Sequence, residues 1–428
     1  MKSELEFSEK TATVVGGGIM GVSTAWALVK NGIKHVTLID MCELPRKIGG
    51  ASVDGGRLIH YHHSVGEGYT LMAKDAYATW EDLFNDLECS YMTPTGLLLI
   101  SSTPNNEYKE WQNYMKTSAL LNSHKTVNKH FDKLGIKSEY LTPNDIKSKF
   151  PYLKMDEIEY AIFAEKGCNV LHAADIINAT VKWLKKQSNA TVLEGSEYKV
   201  TSIKIKNAQH YSLTEPENDY HTCALENGNN ITSDLLVLAA GIYTDQLIPE
   251  IYKEASIIHA RDQLTYYKFR DHAMNLWKDF PNFIDATETV NIFCRPCVGG
   301  TGTHGVKITM DLDQHHDYKS DDFVPTIGYN QPTVDWLNKR FAPDVIEDLK
   351  IAFEKVCYHD ITPDHKYVFK VLDNNDSAIA LYGFSAHGFK FGSLVGKSTC
   401  AVLKKEKSAY SIEKYLKGDS LKFFDNLD

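Results

Sequence analysis

Between Ala12 and Asp40 the spacing of apolar positions changes three times. Ala12 to Val15 is an unbroken apolar run, as expected of a buried strand. It breaks into Gly16-Gly17-Gly18-Ile19-Met20-Gly21. From Val22 to Val29 apolar residues then fall at helical spacing, until Asn31-Gly32 stops the helix. A second apolar run, His35 to Ile39, ends on Asp40. The order is strand, glycine turn, helix and parallel strand, with G-x-G-x-x-G filled by Gly16, Gly18 and Gly21. Gly16 permits the turn, Gly18 lets the backbone approach a diphosphate, and Gly21 lets the helix pack on the strand. The helix amino terminus then faces the negative charge. Asp40, 19 residues beyond Gly21, is placed to accept hydrogen bonds from an adenosine ribose.

Later stretches extend this pattern. Residues 70 to 87 read as an amphipathic helix with Met72, Ala76, Trp80, Leu83 and Phe84 on one face, which predicts a core contact. A short strand, Gly96 to Ile100, leads into a polar, lysine-rich helical stretch reaching about residue 150, which reads as an insertion that leaves the nucleotide domain. Residues 173 to 187 predict another helix, followed by strands around Val192 and Val200. The dense apolar run in residues 233 to 247 suits a parallel strand covered on both faces, and its small-residue end, Ala240-Gly241, suits close approach to a cofactor. A parallel strand returning so late makes the nucleotide domain discontinuous. Residues 255 to 350 alternate extended segments with loops, and Gly396 is expected to open a final helix.

Composition narrows the function classes. The 428 residues suffice for two interleaved domains, and 43% apolar with 24% charged residues is ordinary globular usage. A net charge of -10 without a basic stripe argues against a nucleic-acid partner. The polar start MKSELEFSEK is no signal peptide, no apolar run approaches the roughly 20 residues of a membrane span, and the final NLD is not a peroxisomal address. A soluble, cytoplasmic protein with no membrane association is expected. Its eight cysteines are expected to be free thiols.

Four stretches carry candidate chemistry. The glycine-rich loop 49 to 63 holds Arg57 and would pass near a ring system; its histidines, His60, His62 and His63, lack the spaced cysteine or carboxylate partners of a metal site, so no metal is expected. Cys294-Arg295-Pro296-Cys297 is a lone C-x-x-C with strand-like flanks, more simply a coincidence than a redox pair. Lys307 sits in a short apolar strand, either snorkelling to solvent or held inside a site, and the residues alone favour snorkelling. Finally, VCYHDITPDH (356 to 365) precedes GFSAHGFKFGSLVGK (383 to 397), where a strand runs into a glycine loop bearing His387 and Lys390.

With the opening VVGGGIMG and the loop at Arg57, these blocks resemble the monomeric sarcosine oxidase family of FAD-dependent amine oxidases, which includes pipecolate, saccharopine, N-methyltryptophan and fructosyl amino acid oxidases. The resemblance spans nearly the whole chain, and the 50 residues from Lys307 to Cys357 and 33 from Cys357 to Lys390 match the family layout. It implies an α/β fold: a Rossmann-like FAD-binding domain from residues 1–90, 157–250 and 352–428, with an interleaved mixed-sheet substrate domain from 91–156 and 251–351. By the same resemblance, Cys357 binds the flavin covalently as a thioether at its 8α-methyl group. Lys307 contacts flavin N5 through water and activates oxygen, Lys390 holds a substrate carboxylate, and Arg57 lies beside the flavin ring. The expected cofactor contacts are Gly16, Gly18, Ile19, Met20, Gly21, Asp40, Ser52, Arg57, Ala240, Gly241, Cys357, Gly383, His387, Gly388, Phe389 and Lys390.

The chain departs from the family at three places. His60 stands where a second, carboxylate-gripping arginine is usual, Ala386 replaces the glycine before the motif histidine, and Arg295 replaces the glutamate with which fructosyl amino acid oxidases meet sugar hydroxyls. The implied reaction is oxidation of the secondary amine of an N-substituted amino acid. A hydride equivalent passes to flavin N5, the imine hydrolyses, and oxygen regenerates FAD with release of hydrogen peroxide. Lys307, Lys390, Arg57, His60 and Arg295 are the expected catalytic set, in a monomer whose partners are a small amine and oxygen. An NAD(P)-linked dehydrogenase and a flavin-containing protein without turnover are the alternatives.

Overall fold

The computed structural model describes residues 6–47, 49–52, 55–61, 67–101, 134–208, 219–286, 292–295, 305–310 and 323–428. Its first supersecondary unit is Thr11–Val15 (β1), Ile19–Lys30 (α1) and His35–Asp40 (β2), with β1 and β2 parallel and in register from Thr11↔His35 to Val15↔Ile39. The α1 helix is less amphipathic than its spacing implied: Ile19 to Val29 are all buried, and only Lys30 emerges. A helix apolar all round must be covered all round, and later parts of the chain supply the cover.

The chain then turns through the glycine loop into Gly56–His60 (β3) and the helix Glu67–Asp86 (α2). The five residues expected on one face of α2 are all buried. Its carboxyl-terminal Asp86 accepts from Trp26 Nε1 of α1 at 2.7 Å, and Lys30 bridges Asp82 and Asp86. The helix Ala173–Lys185 (α3) also packs against α1, and the run at 233 to 247 yields Leu235–Leu238 (β4), completely buried and parallel to β1. The two neighbours of β1 in the sheet are therefore β2 and β4.

A second, eight-stranded sheet lies beside the first. Its edge is a long antiparallel ladder between Ile258–Lys268 (β5) and Lys350–Ile361 (β7), registered from Ile258↔Ile361 to Lys268↔Lys350 with one irregularity at Tyr266/Tyr267. Val306–Met310 (β6) pairs with the other side of β5. This sheet also takes in Tyr160–Ala164, from the 157–250 stretch expected in the FAD-binding domain, and β7 straddles the boundary expected at 351/352. The fully buried Arg340–Asp285 pair, with Trp336 Nε1 on the same carboxylate at 2.9 Å, anchors the helix Gln331–Arg340 beneath it.

The final elements return to the first sheet. Ala378–Tyr382 (β8) pairs parallel with β4, and the helix Gly392–Leu403 (α4) follows. Gly396 does not open α4 but sits inside it. A Cβ there would lie 2.4 Å from the Ser23 carbonyl of α1, so the residue serves close helix–helix approach. Among the described residues, no helix is long and apolar enough to cross a membrane. The lysine-rich stretch expected to be helical falls largely at 102–133, outside the described residues.

Candidate active site

A cleft lined by residues of both sheets encloses about 1090 Å³ of free space, part of it open to solvent. At one end is the glycine turn. Gly16 has φ +105, and a Cβ on it would lie 2.3 Å from the Ala239 carbonyl; a Cβ on Gly21 would lie 1.7 Å from Gly16 O. Gly21 is thus a packing residue behind the turn and does not line the cleft, whereas Gly16, Gly18, Ile19 and Met20 do. A Cβ on Gly18 would meet only Ser52 Oγ, at 3.4 Å, so this position opens onto the cleft. Ser52 Oγ also accepts from Ile19 N at 3.1 Å. No acid stands in the first turn of α1, which leaves the positive end of the helix available to a diphosphate.

Asp40 is buried, and its two oxygens accept from Gly17 N (2.7 Å) and Cys42 N (2.8 Å). Through the Gly17 bond it braces the turn. Burial pushes its pKa upward, opposed by Arg46 and the two amide bonds. Arg46 escaped the sequence analysis. Its guanidinium stacks over Tyr243, 5.2 Å from the ring centroid, and both residues line the cleft and an adjoining pocket of about 850 Å³ that reaches Tyr198 and Leu247. Burial works against its charge and is outweighed by Asp40, Cys42 and Tyr243, so its pKa is raised. A lone arginine six positions after the strand acid carries no spacing signal; only folding brings it back to Asp40.

The cleft is also lined by Gly50, Ala51, Ser52 and Arg57, whose Nη2 donates to Ala51 O at 2.6 Å, and by Ala239 to Tyr243. The far wall comprises Asp262, Cys357, Tyr358, His359 and Asp360 of the β5/β7 ladder, with Phe384 to Ala386, Gly388 and Phe389. Cys357 is 2% exposed, and Gly49 bridges to it in parallel, so the glycine loop and β7 are joined at the cysteine.

Two expected cofactor contacts sit behind this wall. Gly383, at φ +66, packs on Thr362 and donates its N–H to Asp360 Oδ2 at 3.0 Å. His387 is 2.7 Å through Nδ1 from Tyr367 Oη and 2.9 Å through Nε2 from the His365 carbonyl, an arrangement in which Nε2 donates and Nδ1 accepts. Burial, then the Lys390 charge, pushes its pKa down to about 3. It is a neutral brace for the loop rather than part of the cleft lining.

Beyond the lining stand the cations. Lys390 Nζ lies 3.4 Å from His60 Nε2, both residues buried, and Trp80 Nε1 holds the Lys390 carbonyl at 2.7 Å. Lys307 on β6 is 2% exposed, so it does not snorkel as its local sequence favoured. Its register partners are Tyr266 of β5, whose hydroxyl accepts from Gly55 N of the glycine loop, and Arg295 of the strand Ile292–Arg295. The Arg295 and Cys294 side chains, Cys297, His62 and His63 lie outside the described residues. The six described cysteines are free thiols.

The match of residues 11–402 to the model of the FAD-dependent oxidoreductase family settles the affiliation. The chain belongs to that family. Among curated proteins it is 23% identical over 407 residues to the peroxisomal sarcosine oxidase of Homo sapiens, covering 94% of each chain. It is 24% identical over 417 residues to the monomeric sarcosine oxidase of Bacillus sp. (strain NS-129), covering 96% of this chain and 97% of that one. The structure of the deglycating enzyme fructosamine oxidase from Aspergillus fumigatus (Amadoriase II) shares its fold, with a TM-score of 0.73 at 17% identity over 96% of this chain and 89% of that one. The expected α/β, FAD-binding fold and the sarcosine-oxidase-like family both hold. The site's open Gly18 position, unopposed helix terminus and long cleft fit FAD.

Proposed function

We propose that the protein is an oxidase of the secondary amine of N-substituted amino acids, with FAD bound along the cleft and attached through Cys357. The observation that carries this reading is the buried Lys390–His60 contact, next in the chain to Phe389 of the cleft lining. A substrate carboxylate entering such a dry site needs a cationic partner, and Lys390 supplies one whose backbone Trp80 immobilises. FAD when bound supplies acceptance of the hydride equivalent and its transfer to oxygen, with peroxide as product.

The protein's own groups divide the remaining work. Gly18, Ile19 and Met20 receive the diphosphate, Asp40 and Arg46 the adenosine end, and Arg57 with Ala51 flanks the ring. Lys390 orients the substrate. Lys307 holds a fixed positive charge in a dry sheet, the kind of preorganised charge that stabilises developing negative charge on oxygen. Arg295, whose backbone opposes Lys307, is the candidate second cation for a substrate bearing an additional acid, as saccharopine does.

A peroxide assay over sarcosine, pipecolate, saccharopine and a fructosyl amino acid, together with acid precipitation of the protein, tests the reading. Peroxide from at least one of the four and a yellow pellet are expected. A colourless pellet removes the covalent link; no peroxide from any amine, with flavin present, favours a flavoprotein without turnover. Preference for the fructosyl amino acid with Arg295→Ala neutral removes the acidic-substrate version.

A further inference from the structure

We propose that His359, oriented by Asp262, is the general base that takes the thiol proton of Cys357 as the cysteine bonds to the flavin, so that the chain installs its own cofactor link. The inference rests on Cys357 being the attachment residue.

The ladder places three groups together. Asp262 of β5 is directly opposite Cys357 of β7, a relation that holds Cβ atoms about 4.5–5.5 Å apart. His359 is two residues beyond Cys357 on the same strand, hence on the same face and roughly 7 Å along it. All three line the cleft, and His359 Nδ1 lies 3.3 Å from Asp262 Oδ2. In the proposed arrangement the proton of this contact is on Nδ1, which leaves the lone pair on Nε2.

The surroundings of the cysteine make a base necessary. The thiolate, not the thiol, is the nucleophile, and Cys357 is buried with Asp262 directly across the ladder. Its proton therefore has to leave as the bond forms. The other nearby groups are engaged elsewhere. Asp360 Oδ2 is occupied by Tyr252 Oη (2.9 Å) and Gly383 N (3.0 Å). His387 has both ring nitrogens engaged away from the cleft. His359 is itself 7% exposed, while the Asp262 side chain retains 37% exposure and connects the pair to solvent.

The step balances with oxygen as oxidant. The Sγ–H bond and one C–H bond of the 8α-methyl group break, and the Sγ–C bond forms. The thiol proton passes to His359 Nε2, the two electrons and the methyl-derived proton stay on the ring, and oxygen takes up the two electrons with both protons as hydrogen peroxide.

Protein expressed under riboflavin limitation provides chain without cofactor. It is mixed with FAD in air and acid-quenched at intervals, with covalent flavin read by intact mass and in-gel fluorescence, and non-covalent binding read by fluorescence quenching. His359→Ala is expected to bind FAD but to link it roughly 100-fold more slowly, with added imidazole restoring the rate. Asp262→Asn should slow linking by about tenfold and Asp262→Glu recover most of it, as for a positioning residue. If His359→Ala fails to bind FAD, His359→Gln is judged by the same criteria. Linking at the parent rate overturns the proposal, and so does slow linking that imidazole leaves unchanged. Acid-stable flavin in Cys357→Ser refutes instead the attachment residue itself, and the proposal with it.

Discussion

At the nucleotide end of the cleft, Gly16 to Met20 and Asp40 come from one continuous stretch and act largely through backbone. Lys390 and His60, by contrast, meet at 3.4 Å from positions 330 apart in the chain, and they meet through side chains. At Gly16 and Gly21 the first arrangement tolerates no added atoms because backbone packs on backbone. The second depends on side chains brought together by the fold, and the proposed grip on substrate rests on them.

The sharpest way to break the contrast is at Gly21. A valine there would force its Cβ into the Gly16 carbonyl, which neither β1 nor α1 can yield, so Gly21→Val should cost more than about 4 kcal/mol. Soluble protein with full flavin content would contradict a backbone-built end. On the side-chain end, Lys307→Met should keep the fold and flavin while slowing reoxidation of reduced flavin roughly 100-fold, about 3 kcal/mol. Stopped-flow reduction under anaerobic conditions should change much less; equal reoxidation rates in variant and parent would remove Lys307 from oxygen chemistry.

His387 tests whether the loop behind the cleft is held by neutral groups. Its folded pKa of about 3 lies below the ordinary histidine value of 6.5. Below pH 6.5 the unfolded chain therefore binds a proton that the folded chain refuses. Stability present above that pH should fall by a few kcal/mol as pH drops toward 3, at about 1.4 kcal/mol per unit. Urea titrations at about pH 7 and about pH 4 should show the loss in the parent and a flatter dependence in His387→Asn. The smallest effect is at Ala386, which adopts φ +62, a left-handed conformation that costs a side-chain residue about 1–2 kcal/mol. After the entropy glycine loses on folding, Ala386→Gly should raise stability by up to about 1 kcal/mol. No gain in denaturation midpoint would mean that the loop relaxes around the alanine.

These residues also show how far the chain could be understood before its fold was known. The glycine turn, α1, β2 and the dense strand β4 were legible because each is local: residue spacing alone specifies which groups face the sheet and which face the cleft. Lys307 was misjudged from its surroundings, since burial of a lysine in β6 depends on strands β5 and Ile292–Arg295 lying on either side. Gly396 looked like a helix opener because its partner, Ser23 O, is far away in the chain. The motif histidine, His387, pointed to the right loop while its ring turned to Tyr367 and His365 behind the cleft.

By itself the sequence determined the dinucleotide-binding unit, the α/β class and the family, because those follow from periodicity, glycine placement and motif order within short stretches. Only the tertiary structure decided that Arg46 returns to Asp40, that Lys390 meets His60, and that Asp262 and His359 close on the face of β7 that carries Cys357. The physical reason is range. Backbone geometry and hydrophobic periodicity act over a few residues, whereas a charge or proton-transfer site depends on distances of a few ångströms between strands whose register is set by the packing of the whole sheet.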